Sequence, residues 1–460
     1  MTGPGSRPLR LIAIVAFTWV AGLTPPPARA VSPPTVNDAL LPAAKSPAPR
    51  EATEQSEPCR TTTGPSDTDT DTDSQLSAID LQAIWRLSRG SGQTVAVIDT
   101  GVSRHRLLPH LIPGGDYVSN GDGTQDCDGH GTIVAGIIGA AEERQPGATF
   151  GGLAPDAAVM AIRQSSNAFR RLSDPSGSGV ADVETLAAAV RTAADAGATV
   201  VNISSVACLP SDGNLDDGSL GAALAYAVDV KNVVVVAAAG NVGGPGQCHE
   251  QNPVSDAERP GVPDWDAVKV VASPSWYDDY VLTVGSVSPD GHPSRFSLAG
   301  PWVDVAAPGE AVTSLDPDGE GLIDTAPGSA TPVPISGTSY AAPVATGIAA
   351  LIRSREPQLT ARQVMQRIED TAHHPAAGWD AQVGHGVIDA LAAVSADGPG
   401  TPRSTPTATR SATPPSEVRR SDTLSRQVAF GGAAACVAAA VVASASAGRS
   451  RRRRPPVTDD

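Results

Sequence analysis

Between residues 76 and 396, short apolar runs alternate with longer stretches whose apolar positions recur every three or four residues. The runs are Thr94–Ile98, Val159–Ile162, Thr199–Ile203, Val233–Ala237, Val281–Val284 and Val303–Val305. They are apolar at successive positions rather than alternate ones, as expected of strands covered on both faces. Helical spacing predicts helices over His130–Ala141, Asp182–Ala196, Leu220–Val230, Thr338–Ser354 and Thr360–Thr371. This alternation predicts an α/β body with a doubly wound, mostly parallel sheet and helices on both faces. A segment of that length can bury one large core. Ligands of such sheets bind beyond the carboxyl ends of the strands, so candidate chemistry is sought there.

Outside the body the pattern changes. Residues 1–30 read as a secretory signal: Arg7 and Arg10 precede an apolar run from Leu11 to Leu23, and Ala28-Arg29-Ala30 offers a cleavage site. The run is short for an uncleaved anchor, and Pro25-Pro26-Pro27 ends it. Residues 31–75 form an extended arm, whose stretch from Arg50 to Ser74 has no large apolar side chain. Residues 397–427, rich in Pro, Thr and Ser, bury too little surface to fold and read as a linker. Residues 428–447 carry no charge. As a helix rising ~1.5 Å per residue they span ~30 Å, one hydrocarbon thickness. Their Ala, Gly and Ser content makes the span only weakly hydrophobic. Arg449 and Arg451–Arg454 follow at once, the signature of a cytoplasmic end. The expected arrangement is an extracytoplasmic body, one transmembrane helix and a cytoplasmic tail at 448–460.

Charge and composition narrow the function. Lys+Arg 33 against Asp+Glu 49 gives −16, and several of the arginines sit at the two ends. The body is therefore acidic, which argues against a nucleic-acid partner. The acidic alternation Asp67 to Asp73 resembles a calcium loop only superficially. An EF-hand needs Gly at its sixth position and Glu at its twelfth, where Thr72 and Ala78 stand. Adjacent His373 and His374 at a helix end point different ways, and no Cys-x-x-Cys or Cys/His cluster occurs. No metal and no cofactor are expected.

Three motifs carry candidate chemistry. The first strand ends in Asp99-Thr100-Gly101, placing a carboxylate directly after four apolar residues, where desolvation is costly unless the charge is satisfied. Asp128-Gly129-His130-Gly131-Thr132 puts a histidine at a helix start, and Gly337-Thr338-Ser339-Tyr340-Ala341-Ala342-Pro343 puts a serine at another. Each alone has an ordinary structural explanation: a turn Asp, a surface His, an N-cap Ser. Together they match the needs of nucleophilic catalysis. A serine needs a neutral imidazole to take its proton, and the imidazole needs a buried carboxylate to hold its tautomer. A fourth element, Val236-Ala237-Ala238-Ala239-Gly240-Asn241, ends a strand in an amide able to donate to a developing oxyanion.

With these blocks in the order Asp…His…Ser, the body resembles the subtilases, and Gly384-His385-Gly386-Val387-Ile388-Asp389-Ala390 resembles that family's closing block. The resemblance implies Asp99, His130 and Ser339 as triad and Asn241, with the Ser339 N–H, as oxyanion donors. Within the subtilases the chain is similar to the mycosins, membrane-anchored proteases of actinobacterial type VII secretion systems. Gly114-Gly115-Asp116-Tyr117-Val118, Asp126-Cys127-Asp128, Val201 to Cys208 and the C-terminal helix with its Arg tail carry that likeness. The resemblance also implies that substrate adds as a strand against Ser204, Ser205 and Val206 and against Ala238, Ala239 and Gly240. Many relatives have Gly where Val206 falls, so a narrowed first pocket and selective cleavage are expected. The loops Gln164–Val180 and Val242–Trp276 are long enough to restrict access, or are surface insertions.

Of five cysteines, Cys436 falls in the predicted membrane helix. The other four, in an oxidising compartment, allow three pairings. The favoured one is Cys59–Cys127 with Cys208–Cys248, which staples the arm to the loop before His130. An arm so tethered stays as structure, and a compact inhibitory propeptide is not expected. Two functions fit: an endopeptidase acting on exported proteins, and a structural subunit of a secretion membrane complex with proteolysis dispensable. An esterase is disfavoured, because the chain lacks its Gly-x-Ser-x-Gly elbow.

Overall fold

The computed structural model describes residues 31–62, 75–145, 148–213, 215–244, 247–254, 259–328 and 332–397. The expected signal segment, the linker beyond 397, the membrane helix at 428–447 and the Arg tail lie outside the described residues.

Seven parallel strands form the central sheet: β1 Thr94–Asp99, β2 Leu111–Asp116, β3 Ala158–Arg163, β4 Val200–Ile203, β5 Val234–Ala238, β6 Leu282–Val287 and β7 Val305–Pro308. Their spatial order is β7-β6-β5-β4-β1-β3-β2. The chain order therefore reverses beside β1, which is flanked by β3 and β4. Crevices open beyond the carboxyl ends of strands at such reversals. β4, β5 and β6 are buried at every residue, which accounts for their mostly apolar sequences, with Asn202, Thr283 and Ser286 as buried polar exceptions.

Among the described residues the five longer helices are α1 His130–Gly139, α2 Val183–Asp195, α3 Gly218–Ala225, α4 Thr338–Arg355 and α5 Ala361–Asp370. α3 continues as a π-helical turn, Tyr226–Val230. α1 packs on α4, and α2 on α3. α4 crosses β4 to β7 and is buried along most of its length, so apolar residues occupy nearly all its faces. α2 starts where Asp182 accepts from Thr185 N, and α5 where Thr360 and Gln363 form a capping box. Among the described residues, no helix is long and apolar enough to cross a membrane.

All eleven expected elements are present, with ends shifted by a few residues; the largest strand shift is at β7. Several features were not expected, among them the short helices Leu81–Trp85 and Ala390–Ser395 and the two that follow. β2 reads Leu-Ile-Pro-Gly-Gly-Asp, and its Pro113 is tolerated because β2 is an edge strand with a register shift between Pro113 and Gly115. Ala207–Pro210 pairs antiparallel with Val270–Ser273, so part of the Val242–Trp276 loop is ordered ribbon.

Among its described residues the arm packs on the body: Val36 and Leu41 lie against the main core and Val31 against a smaller cluster. Thr53–Gln55 pairs antiparallel with Phe169–Arg171, inside the Gln164–Val180 loop. Arg170 meets Glu54 at 2.7 Å and Arg171 meets Glu51 at 3.0 Å. Farther back, Arg191 donates to the Pro42 carbonyl at 3.3 Å. Disulfides join Cys59 to Cys127 and Cys208 to Cys248.

Candidate active site

Asp99 ends β1 almost fully buried. Its Oδ1 accepts from the Thr100 N–H at 2.7 Å and lies 2.7 Å from His130 Nδ1. These contacts offset the desolvation of a carboxylate at a strand end.

His130 is the first residue of α1, and the preceding Gly129 is left-handed, at φ 81. Gly129 has no side chain to cap the helix, and Asp126 does so from three residues upstream. Asp126 Oδ1 accepts from Gly129 N at 2.8 Å and from Thr100 Oγ1 at 2.8 Å. Its Oδ2 accepts from Thr132 N at 2.8 Å and Thr132 Oγ1 at 2.7 Å. Thr100 Oγ1 in turn accepts from Gly131 N at 3.0 Å. The Asp99 strand end and the His130 helix start are thereby fastened together. A Cβ on Gly131 would lie 2.0 Å from the Gly101 carbonyl oxygen, so only glycine fits after His130.

The ring of Tyr340 packs against His130, centroids 5.2 Å apart. Burial favours the neutral imidazole, but the Asp99 carboxylate, aided by Asp126 and Asp128, outweighs it and raises the His130 pKa above 6.5. Burial and the nearby Asp99 and Asp126 push the Tyr340 phenol well up, so it stays neutral.

Ser339 lies in the first turn of α4. Its hydroxyl donates to the Ser204 carbonyl at 3.2 Å rather than to His130. Asn241 follows β5, and its Oδ1 accepts from Thr338 N at 3.0 Å and Thr338 Oγ1 at 3.1 Å. With the oxygen so engaged, the amide is oriented and Nδ2 is the end left to donate. A cavity of about 250 Å³ is lined by Ser339, Thr338, Asn241, Gly240, Ser204, Val206, Gln247 and the Cys208–Cys248 pair.

Of the residues singled out in the sequence, Asp99 and His130 are hydrogen-bonded, and Ser339, Asn241, Gly240, Ser204 and Val206 share this cavity. Tyr340, next to Ser339 in the chain, links the two groups. Ser205, Ala238 and Ala239 do not line the cavity; Ala238 and Ala239 are buried, and the Ala238 carbonyl accepts from Ser275 Oγ at 2.8 Å. Cys127 ties the arm three residues before His130, and Cys248 ties the loop after Asn241 to the cavity wall. His373 is largely exposed, and His374 Nδ1 meets the His385 carbonyl at 2.6 Å.

Sequence reasoning gave no role to Thr100, Asp126, Thr338 or Tyr340. Asp126 left a readable signal: an acidic residue three before a helix-opening glycine that cannot cap itself. Tyr340 left none, because its contact with His130 depends on how α1 packs on α4.

The Subtilase family model matches residues 90–386. Mycosin-4 of Mycobacterium tuberculosis is 58% identical over 393 residues, covering 85% of this chain and 84% of the relative. A crystal structure of MycP1 from the ESX-1 type VII secretion system superposes with a TM-score of 0.73 at 41% identity, covering 81% of this chain and 98% of that one. A chain in the periplasmic assembly from the ESX-5 inner membrane complex superposes with a TM-score of 0.74 at 40% identity, covering 81% and 96%. The fold is that of a subtilisin-like serine protease, and the chain belongs to the subtilase family, in its mycosin branch.

Proposed function

We propose that the chain is a membrane-anchored serine endopeptidase whose triad is Asp99, His130 and Ser339. The observation that carries this reading is the 2.7 Å contact of buried Asp99 with His130 Nδ1, beside a cavity that holds both Ser339 and an oriented Asn241 amide. Asp99 keeps the proton on Nδ1, so Nε2 carries the lone pair. The Ser339 hydroxyl turns from the Ser204 carbonyl toward Nε2 and gives up its proton as Oγ attacks the scissile carbonyl. Asn241 Nδ2 and the Ser339 N–H donate to the oxyanion. His130 then protonates the leaving amine, and water hydrolyses the acyl-enzyme by the reverse proton path.

Substrate lies as an added strand beside Ser204, Ser205 and Val206, with Ala238, Ala239 and Gly240 on its other side. Val206 and the Cys208–Cys248 bridge wall the cavity at Ser339 and favour selective cleavage. The relatives in ESX complexes support a place for this chain in a type VII secretion membrane assembly, acting on exported proteins. The body then sits outside the cytoplasm, after cleavage of residues 1–30, on a single helix at 428–447 with the Arg tail inside. A second reading rests on the same relatives and on the packed arm: the body is a subunit of that assembly, with cutting dispensable.

The test compares protein termini in the exported fraction of strains carrying wild type, Ser339→Ala or no copy. Termini absent in both altered strains support proteolysis of exported proteins. Identical termini in all three oppose it. Secretion restored by Ser339→Ala as fully as by wild type shows that cutting is dispensable.

A further inference from the structure

Pro343 lies four residues after Ser339, inside α4. In an unbroken helix the Ser339 carbonyl would accept from the N–H of residue 343. Proline has no N–H, and its ring crowds the carbonyl four residues back. The vacancy is filled from β4's end: Ser204 Oγ donates to the Ser339 carbonyl at 3.0 Å.

The direction of that bond is imposed from below. Asn202 Nδ2 donates to Ser204 Oγ at 2.9 Å, which turns the Ser204 proton toward Ser339. Asn202 is fully buried within β4, where every neighbour in the strand is apolar. Thr346 Oγ1, on α4 itself, lies 2.9 Å from Asn202 Oδ1, sharing its proton with the Ala342 carbonyl at 3.0 Å. The path thus leaves α4 at Thr346, crosses two polar side chains of the sheet and returns to α4 at Ser339. A buried amide is costly unless satisfied, and here both its ends are engaged.

We propose that Ser204, oriented by Asn202 and Thr346, is a positioning residue: it replaces the helical hydrogen bond removed by Pro343 and fixes the backbone of Ser339 at the cavity. This rests on the reading of Ser339 as nucleophile. The substitution Pro343→Ala returns an N–H donor to the Ser339 carbonyl, so it makes Ser204 redundant for this task.

The test measures the labelling rate of the full-length, detergent-solubilised protein by a fluorophosphonate probe. Wild type, Ser204→Ala, Pro343→Ala and the double variant are compared, with Ser339→Ala as blank and thermal unfolding recorded for each. Ser204→Ala is expected to slow labelling roughly tenfold, the effect of one lost hydrogen bond. The double variant is expected to label within about threefold of Pro343→Ala alone, because the two changes couple through one carbonyl. Ser204→Ala also orphans Asn202 Nδ2, so its unfolding temperature stays depressed in both backgrounds; recovered labelling without recovered stability separates positioning from folding. Labelling of Ser204→Ala at the wild-type rate, or rate losses that simply multiply in the double variant, overturns the proposal while leaving the nucleophile assignment standing. No labelling of folded wild type, or labelling that persists in Ser339→Ala, removes the nucleophile assignment and this proposal with it.

Discussion

Asp99 and His130 meet through a single carboxylate oxygen: Oδ1 lies 2.7 Å from Nδ1, while Oδ2 is buried without a hydrogen bond from any described residue. This one contact holds the ring orientation, and with Asp126 and Asp128 it raises the His130 pKa. A base must be neutral to accept a proton. Activity is therefore lost as pH falls through an apparent pKa above 6.5, and rises to a plateau beyond it. The stability effect runs the other way. The charged pair contributes fully below the unfolded His pKa, and the contribution is lost as pH rises through the raised folded value. A pH–rate profile of probe labelling checks the first statement, and unfolding free energy against pH the second.

Replacing Asp99 by Asn removes the strongest influence raising that pKa and the anchor of the tautomer. The rate constant is expected to fall roughly 10⁴-fold, with the residual pH dependence displaced to lower pH. An Asn variant with near wild-type rate would show that Asp99 only packs the strand end.

Asn241 is held by its oxygen and acts by its nitrogen. Asn241→Asp keeps the acceptor for Thr338 but loses the donor, whereas Asn241→Ala loses both. Both are expected to lower kcat roughly 10²–10³-fold with little change in KM. A change in KM alone would mean that the amide binds substrate without stabilising the oxyanion.

The two disulfides close loops of different consequence. By chain entropy each contributes about 4 kcal/mol, for sequence separations of 68 and 40. Paired Cys→Ser replacement at 59 and 127 is expected to lower denaturant stability. The arm stays docked through Thr53–Gln55 and the Glu54–Arg170 and Glu51–Arg171 pairs. The same replacement at 208 and 248 also alters substrate selectivity, because that bridge lines the cavity. Unfolding curves and a peptide-library cleavage profile separate the two.

A docked arm has a further consequence. The mature enzyme is expected to begin near Val31, and N-terminal sequencing of active protein checks this. A start near Leu76 would show that the arm is a propeptide removed on activation.

Much of this was legible in the chain. β4 and β5 announce themselves because both their faces are buried, and α5 because Thr360 and Gln363 cap it reciprocally. The motifs at Asp99, His130, Asn241 and Ser339 were readable because each breaks a local rule: charge after an apolar run, glycine around a helix start, amide at a strand end. β2 was hidden by Pro113 and Gly114, which an edge strand tolerates and a pattern does not reveal. The Ala207–Pro210 ribbon was hidden because its partner lies some sixty residues away, at Val270–Ser273. Asn202 and Thr346 were hidden more deeply. A lone polar residue in an apolar strand signals that something satisfies it, but only tertiary packing tells what.

The most direct test of the central claim is intact-mass analysis of the full-length protein after fluorophosphonate treatment, followed by peptide mapping. A single adduct on Ser339, absent from folded Ser339→Ala, is the predicted result. A folded wild-type protein that forms no adduct, or forms it on another residue, would contradict the account.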